Sequence, residues 1–463
     1  MGDFGVYVHI PFCRRKCFYC DFPSYAGEER WMSRYREALC REIAAQGCCC
    51  LQEGAVRTVY IGGGTPTALA ADDLLAVICA LRESFRLTGT EEFTVEANPG
   101  TVDAKLLERL REAGVSRLSF GVQSFSNALL SAIGRIHTAW EAEDAVRMAQ
   151  KAGFRVSLDL MYGLPGQTLS DLKDSVARAA ALGIGHISVY GLAVEDGTPF
   201  ARMEEAGQLH LPTDDECGDM YDYITAELPR LGYRRYEISN YARAGEESCH
   251  NLAYWQDVPY IGLGAAAHSY WHGQRTENEQ DLRRYIACIE GGLSPAREEE
   301  PCSRESHIEE FAFLALRTAD GIDKHRFKEK FKTDIEEIYG EAIKRLKKAA
   351  LVEETASAIC LTKQGMKFGN RVFEEFLLER NGKNDYDAPL DAEGWGAHYN
   401  ESMLEQVVHT VKNDLLVSWS RKMIEMTQPG DRVLEIGCGS GETSLALALA
   451  GRRATAIDYS KSS

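Results

Sequence analysis

The sequence predicts an α/β protein whose main body is an open, partial (β/α)6 barrel. Three observations carry that expectation. Short β-rich runs alternate with helical stretches through the first ~200 residues, the pattern of βα units feeding a parallel sheet. Helix boundaries carry their own chemistry: Thr138 and Glu141 form a capping-box pair, and Gly153 stops the same helix. The polar motifs fall at or just after strand ends, where parallel α/β folds place ligands.

In chain order, strands are expected at Gly5–Ile10, Arg57–Ile61, Glu92–Ala97, Arg117–Val122, Phe154–Met161 and His186–Leu192. Helices at 28–50, 71–84, 103–112, 138–152 and 169–182 separate them. Residues 1–225 are read as the barrel and 226–303 as an extension, where aromatics and glycines cluster and periodicity weakens. Apolar residues recur at helical spacing in 306–317 and 335–350, and Leu351–Glu354 with Ala358–Leu361 make a hairpin. Residues 304–380 therefore read as a small winged-helix-like domain. The polar run Asn381–Asp391 reads as a linker (381–392), and a last unit occupies 393–463.

Composition narrows the function classes. Lys plus Arg number 52 against 70 Asp plus Glu, a net charge of −18. Such a surface repels polyphosphate backbones, so nucleic acid is not an expected partner. No apolar run reaches the ~18–20 residues a transmembrane helix needs. The start, Met1-Gly2-Asp3-Phe4-Gly5-Val6, fits neither a secretory signal nor a myristoylation site. A cytoplasmic location is expected; peripheral membrane contact and a homodimer are left open.

The 14 cysteines are too sparse for a disulfide scaffold. Three of them, Cys13, Cys17 and Cys20, fall in eight residues of HIPFCRRKCFYC. Random placement gives that spacing about once in eighty such chains. Three thiolates on one loop can hold three irons of a [4Fe-4S] cluster and leave the fourth open. The alternatives are zinc or plain buried thiols, but no fourth cysteine follows nearby to complete a structural zinc site. Cys48-Cys49-Cys50 reads as incidental, since neighbours on a helix face different ways.

With its downstream motifs, HIPFCxxxCxYCDF resembles the radical S-adenosylmethionine (SAM) superfamily, over roughly residues 4–378. Within it the likeness is to the branch of oxygen-independent coproporphyrinogen III oxidase and the HemW heme chaperones. The resemblance implies a [4Fe-4S] cluster on Cys13, Cys17 and Cys20, with SAM chelating the open iron. It places Tyr7, Phe22, Gly63, Gly64, Thr65, Glu96, Gln123, Arg135, Asp159 and Ala193 around SAM. Glycines of the GGGTP turn allow close backbone approach, and Glu96 can accept hydrogen bonds from amino or ribose groups. Taken singly, a glycine run is also a tight turn, and each polar residue is also a capping or solvated group.

Two features separate chaperone from oxidase. Phe22 stands where the oxidase pattern carries a further cysteine, and His250-Asn251-Leu252-Ala253-Tyr254-Trp255 matches the HNxxYW motif of the chaperone branch. His250 offers an imidazole for heme iron, and Tyr254 and Trp255 offer flat faces for a porphyrin. His268 is an equal candidate, and the alternative is that HN caps a turn while YW fills a core seam. The resemblance thus implies a chaperone that binds heme and passes it to acceptor hemoproteins. The other reading is an enzyme, oxidising porphyrinogen or transferring methyl groups. Basic residues of the winged-helix-like domain, among them Lys344, Arg345, Lys347 and Lys348, alternate with glutamates and read as a paired, solvated face.

The tail has a different likeness. A strand from Val433 runs into Gly437, Gly439 and Gly441, a helix at Thr443–Ala450 follows, and a strand at Ala454–Ile457 ends in Asp458. This resembles the start of a class I SAM-dependent methyltransferase, a Rossmann-like fold, with those four residues as its cofactor contacts. Two strands bury too little apolar surface for a working fold, so the tail is expected to be inactive.

Overall fold

A computed structural model describes residues 3–50, 53–298 and 302–378, and the backbone of two later strands, 432–436 and 453–457. The chain divides into two compact units, Met1–Leu377 and Leu378–Ser463.

The first unit opens with β1 (Phe4–Ile10), α1 (Met32–Cys50), β2 (Val56–Gly63), α2 (Ala71–Ser84), β3 (Glu92–Ala97) and α3 (Ala104–Glu112). It continues with β4 (Arg117–Gln123), α4 (Asn127–Ala132), α5 (Ala139–Lys151), β5 (Arg155–Tyr162), α6 (Leu169–Ala181), β6 (His186–Gly191), α7 (Pro199–Glu205) and α8 (Asp214–Arg230). The six strands lie side by side in chain order, all parallel. That order is the product of successive βα crossovers of one hand, and it is the partial barrel of the sequence reading. The capping box at Thr138 and Glu141 is present, and Thr168 with Asp171 forms a second.

The sheet is wider than six strands. β7 (Arg234–Arg235), β8 (Asn240–Ala242), β9 (Tyr260–Leu263), β10 (His268–Trp271), β11 (Gln274–Asn278) and β12 (Ala296–Glu298) extend both edges. Its full order is β12-β11-β10-β9-β1-β2-β3-β4-β5-β6-β8-β7. Only β9 of these additions forms a parallel pair, beside β1. Strands this short carry no legible period of two, which is why the sequence left the region vague. Two helices interrupt them, α9 (Cys249–Trp255) and α10 (Leu282–Glu290).

Alternation along β1–β6 sorts two faces. Val6, Val8, Val59, Ile61, Val95, Leu118, Phe120, Leu158 and Ile187 belong to the buried apolar core shared with the helices. The alternate positions are polar and aromatic: Tyr7, His9, Thr58, Tyr60, Glu92, Glu96, Arg117, Ser157, Asp159 and His186. They bond to one another, within β1 and across strands, and line the inside of the barrel.

The C-terminal part of this unit holds α11 (Arg304–Leu316), β13 (Ile322–Asp323), α12 (Lys324–Phe331), α13 (Ile335–Lys348), β14 (Val352–Glu354), β15 (Ala358–Leu361), α14 (Lys363–Lys367) and α15 (Gly369–Glu374). The expected hairpin gains a third antiparallel strand, in the order β13-β15-β14. Phe311, Phe327 and Phe331 form its aromatic centre. Lys344, Arg345 and Lys347 pair with Glu341, Glu375 and Glu354. In the second unit, β16 (Arg432–Ile436) and β17 (Arg453–Ile457) pair in parallel. Gly437, Gly439, Gly441 and Asp458, the helix expected at Thr443–Ala450 and the linker at 381–392 lie outside the described residues. Among the described residues no helix is long and apolar enough to cross a membrane.

Candidate functional site

The cysteine loop leaves β1 and is tied down at both ends. Cys13 N–H donates to Tyr25 O at 2.9 Å, and Tyr25 N–H donates to Pro11 O at 2.7 Å. His9 Nε2 donates to Pro23 O at 2.8 Å, because a carbonyl can only accept; Nδ1 therefore accepts from Tyr7 OH at 2.9 Å. Lys16 Nζ and Ser24 Oγ both donate to Phe22 O, at 3.0 and 3.1 Å. The glycine turn after β2 closes the other wall. Gly63 has φ of 107°, and a Cβ there would lie 2.5 Å from the His9 ring. On Gly64 a Cβ would lie 2.7 Å from Phe12 O, so only glycine lets the two loops meet.

Between these loops and the strand ends lies a cavity of about 440 Å³. Cys13, Cys17 and Cys20 line it, and so do Tyr7, Phe22, Gly63, Gly64, Thr65, Glu96, Gln123, Arg135, Asp159 and Ala193. Gln123 sits in the left-handed region, with φ of 69°, at a register shift in the β4–β5 pairing. Such strain persists where the surroundings over-determine it, and it turns this residue toward the cavity. Tyr60 OH donates to Glu96 Oε1 at 2.6 Å, and Gly63 N–H to Oε2 at 3.1 Å. Burial lifts the Glu96 carboxyl to about 7, with the Tyr60 bond opposing and Asp159 adding. Burial likewise lifts Asp159 to about 6, opposed by Ser188 and Arg135. Arg135 Nη1 donates to Cys17 Sγ at 3.4 Å, while its buried Nε has no partner among the described residues.

Sequence reasoning passed over three participants. Asn98 Nδ2 donates to Thr65 Oγ1 at 2.7 Å, and its Oδ1 accepts from Arg135. Tyr60 supports Glu96, and Tyr190 lines the cavity wall. Asn98 lies inside the same VEANP run as Glu96, and Tyr60 shares the inward face with Thr58, so strand alternation could have found both.

The heme candidates do not gather here. His250 lies on α9, which enters the opposite end of the barrel, where the strands begin. The Glu92 carboxylate accepts from Ser248 Oγ and the His250 N–H, both at 3.2 Å, and from the Cys249 N–H at 3.3 Å. Arg117, 1% exposed, pairs with Glu92 at 2.8 Å and donates to Ser157 Oγ at 2.9 Å. His250 is itself buried: Nδ1 bonds Thr58 Oγ1 at 2.8 Å and Nε2 bonds Tyr254 OH at 3.0 Å. Burial pushes its imidazole down to about 3. In this arrangement neither nitrogen is open to an iron, and Tyr254 packs edge-on against Tyr260 at 4.6 Å. The Arg317 guanidinium covers Trp255 at 5.2 Å. His268 alone is exposed, 3.6 Å from Glu277.

The donor set fits the two cofactors the sequence resemblance implies. Three free thiols on one pinned loop border the cavity, and beside it stand buried carboxyls and a guanidinium with an unsatisfied nitrogen. Comparison with known proteins agrees. The sequence profile described as "Radical SAM superfamily" matches residues 7–179, and the one described as "HemN C-terminal domain" matches 302–368. The protein named "Heme chaperone HemW" from Lactococcus lactis is 40% identical over 376 residues, which cover 81% of this chain and 97% of that protein. The chain belongs to the HemW family. A HemW from Bacillus subtilis is 41% identical over 381 residues, covering 81% of this chain and 99% of its own length. Among solved structures, the coproporphyrinogen III oxidase HemN from Escherichia coli superposes with a TM-score of 0.72, at 23% identity, over 81% of this chain and 90% of its own. That last likeness speaks for the fold. As a radical SAM protein of the HemW family, the chain takes a [4Fe-4S] cluster and SAM.

Proposed function

We propose that this chain is a heme chaperone, which binds heme beside a [4Fe-4S] cluster and SAM and passes it to acceptor hemoproteins. The observation that carries the reading is the match to proteins named heme chaperones over 97 and 99% of their length. Cys13, Cys17 and Cys20 hold the cluster in this reading, and Tyr7, Gly63, Gly64, Thr65, Glu96, Gln123, Arg135, Asp159 and Ala193 surround SAM. The chemistry this pair supplies when bound is one-electron reduction of a sulfonium. The chain's own part is placement: the pinned loop orients three thiols, and the buried carboxyls accept hydrogen bonds at the cavity wall.

The mouth of that cavity suits a porphyrin. Phe22 is 62% exposed there, beside Arg15 and Lys16, and neither cation has a carboxylate partner among the described residues. A flat apolar macrocycle with two anionic propionates meets complementary chemistry at that rim. The test is a hemin titration of anaerobically reconstituted protein, followed by transfer to an apo-hemoprotein. Saturable binding and transfer are expected. Porphyrinogen decarboxylation with stoichiometric release of 5′-deoxyadenosine would make the chain an oxidase instead, and absence of saturable heme binding would end the chaperone reading.

A further inference from the structure

We propose that His250 is a positioning residue for the SAM pocket: stacked on Tyr60 inside the barrel, it fixes the phenol that holds the Glu96 carboxylate. The inference rests on the cavity taking SAM and not on heme delivery.

The chain of contacts is continuous from one end of the barrel to the other. Backbone N–H groups of Cys249 and His250 are anchored on Glu92, itself locked to Arg117. The His250 ring lies face to face with Tyr60, centroids 5.1 Å apart and planes 24° from parallel. Both imidazole nitrogens are engaged, so the ring cannot rotate without breaking a buried hydrogen bond. Tyr7 also stacks on Tyr60, at 6.3 Å and 27°. The phenol so held donates to Glu96 Oε1 at 2.6 Å. A Tyr hydroxyl at the end of a long lever needs such support, since a small change of ring tilt moves the oxygen out of bonding range.

The consequence is electrostatic. Tyr7, Tyr60, Asp159, Tyr190 and Tyr254 are the titratable groups that act on Glu96 or feel it, and Asp159 is the one of these that ionises near neutrality. The phenol's hydrogen bond works against burial and favours the ionised carboxylate, the better acceptor for amino and hydroxyl donors. Without it Glu96 stays protonated to higher pH.

The experiment measures SAM dissociation constants from pH 6 to 9 on unreduced, reconstituted full-length protein, so no turnover is involved. It compares the original chain with Tyr60→Phe, His250→Leu and Tyr254→Phe, and adds a hemin titration and a melting temperature for each. Tyr60→Phe is expected to weaken SAM about tenfold at neutral pH, the effect of one lost hydrogen bond to a charged group. Its affinity should recover at a higher pH than that of the original chain. His250→Leu and Tyr254→Phe should move the pH profile the same way by less, with heme binding kept. An unshifted SAM profile in folded Tyr60→Phe or Tyr254→Phe overturns the proposal, even where His250→Leu fails to fold. So does loss of heme in His250→Leu with SAM binding intact, which would return His250 to the iron. Failure of the original chain to bind heme would sink the chaperone reading and leave this comparison standing.

Discussion

His250 is held neutral in the barrel, and that has a price in acid. Its folded value near 3 lies below the ordinary 6.5 of an imidazole, because burial penalises the charged form. Above pH 6.5 both folded and unfolded chains carry it neutral, and nothing is lost. Below that the unfolded chain takes up the proton first, so stability falls as pH falls, by at most about 1.4 kcal/mol per unit for this group. His9, His186 and His137 are depressed by burial as well, so the effects run together. Thermal unfolding followed between pH 7 and 4.5 should decline less in His250→Gln than in the original chain, while the raised Glu96 and Asp159 carboxyls act in the opposite direction in both. At the same end of the barrel, Arg117→Met strands the Glu92 carboxylate without its partner. A cost of about 3–5 kcal/mol is expected in denaturant unfolding. The cysteine triplet and Glu96 were legible because motif and strand end coincide. Arg117 and Glu92 were not, because a buried ion pair at the first residues of two strands resembles ordinary surface charge until register brings the strands together.

At the scale of elements, two loops meet where neither tolerates a side chain. Gly64→Ala drives a Cβ against the carbonyls of Phe12 and Ile10, at 2.7 and 2.9 Å. Both are backbone, so the cysteine loop must give way. Iron and sulfide content after reconstitution should drop severalfold in that variant while far-UV circular dichroism stays unchanged. A second junction joins α9 to the winged-helix-like part. Asp257 accepts from His307 and Lys330, and Arg326 donates to Gln256 O. Those bonds outweigh burial and hold the Asp257 carboxyl below its usual range. Their contribution is therefore present at neutral pH and lost as acid protonates the carboxylate. The six long strands and five helices could be read from periodicity and caps. The edge strands could not, because two to five residues carry no pattern and their pairing is decided by distant neighbours.

For the whole molecule, the match to the HemN C-terminal domain ends at residue 368, within the first compact unit. The HemW proteins match 81% of this chain over nearly their full length, and the first unit closes at Leu377. A chain ended after residue 378 should keep the melting temperature, SAM affinity and hemin titration of the full sequence. A large loss in any of them would assign the tail a part in the fold or site. The tail's methyltransferase-like glycines were read from sequence alone, and methyl transfer by the isolated tail would contradict the expectation that this segment is inactive.

The order of the sheet bears on when the protein can be matured in the cell. β1 lies between β2 and β9, and Tyr25 of the cysteine loop is tied to Gln280, 255 residues downstream. The frame around the cysteine loop is therefore incomplete until β9 and Gln280 have been translated. Metal loading is expected only after β9 has emerged, and nascent chains stalled before β9 should take up no iron from a scaffold donor.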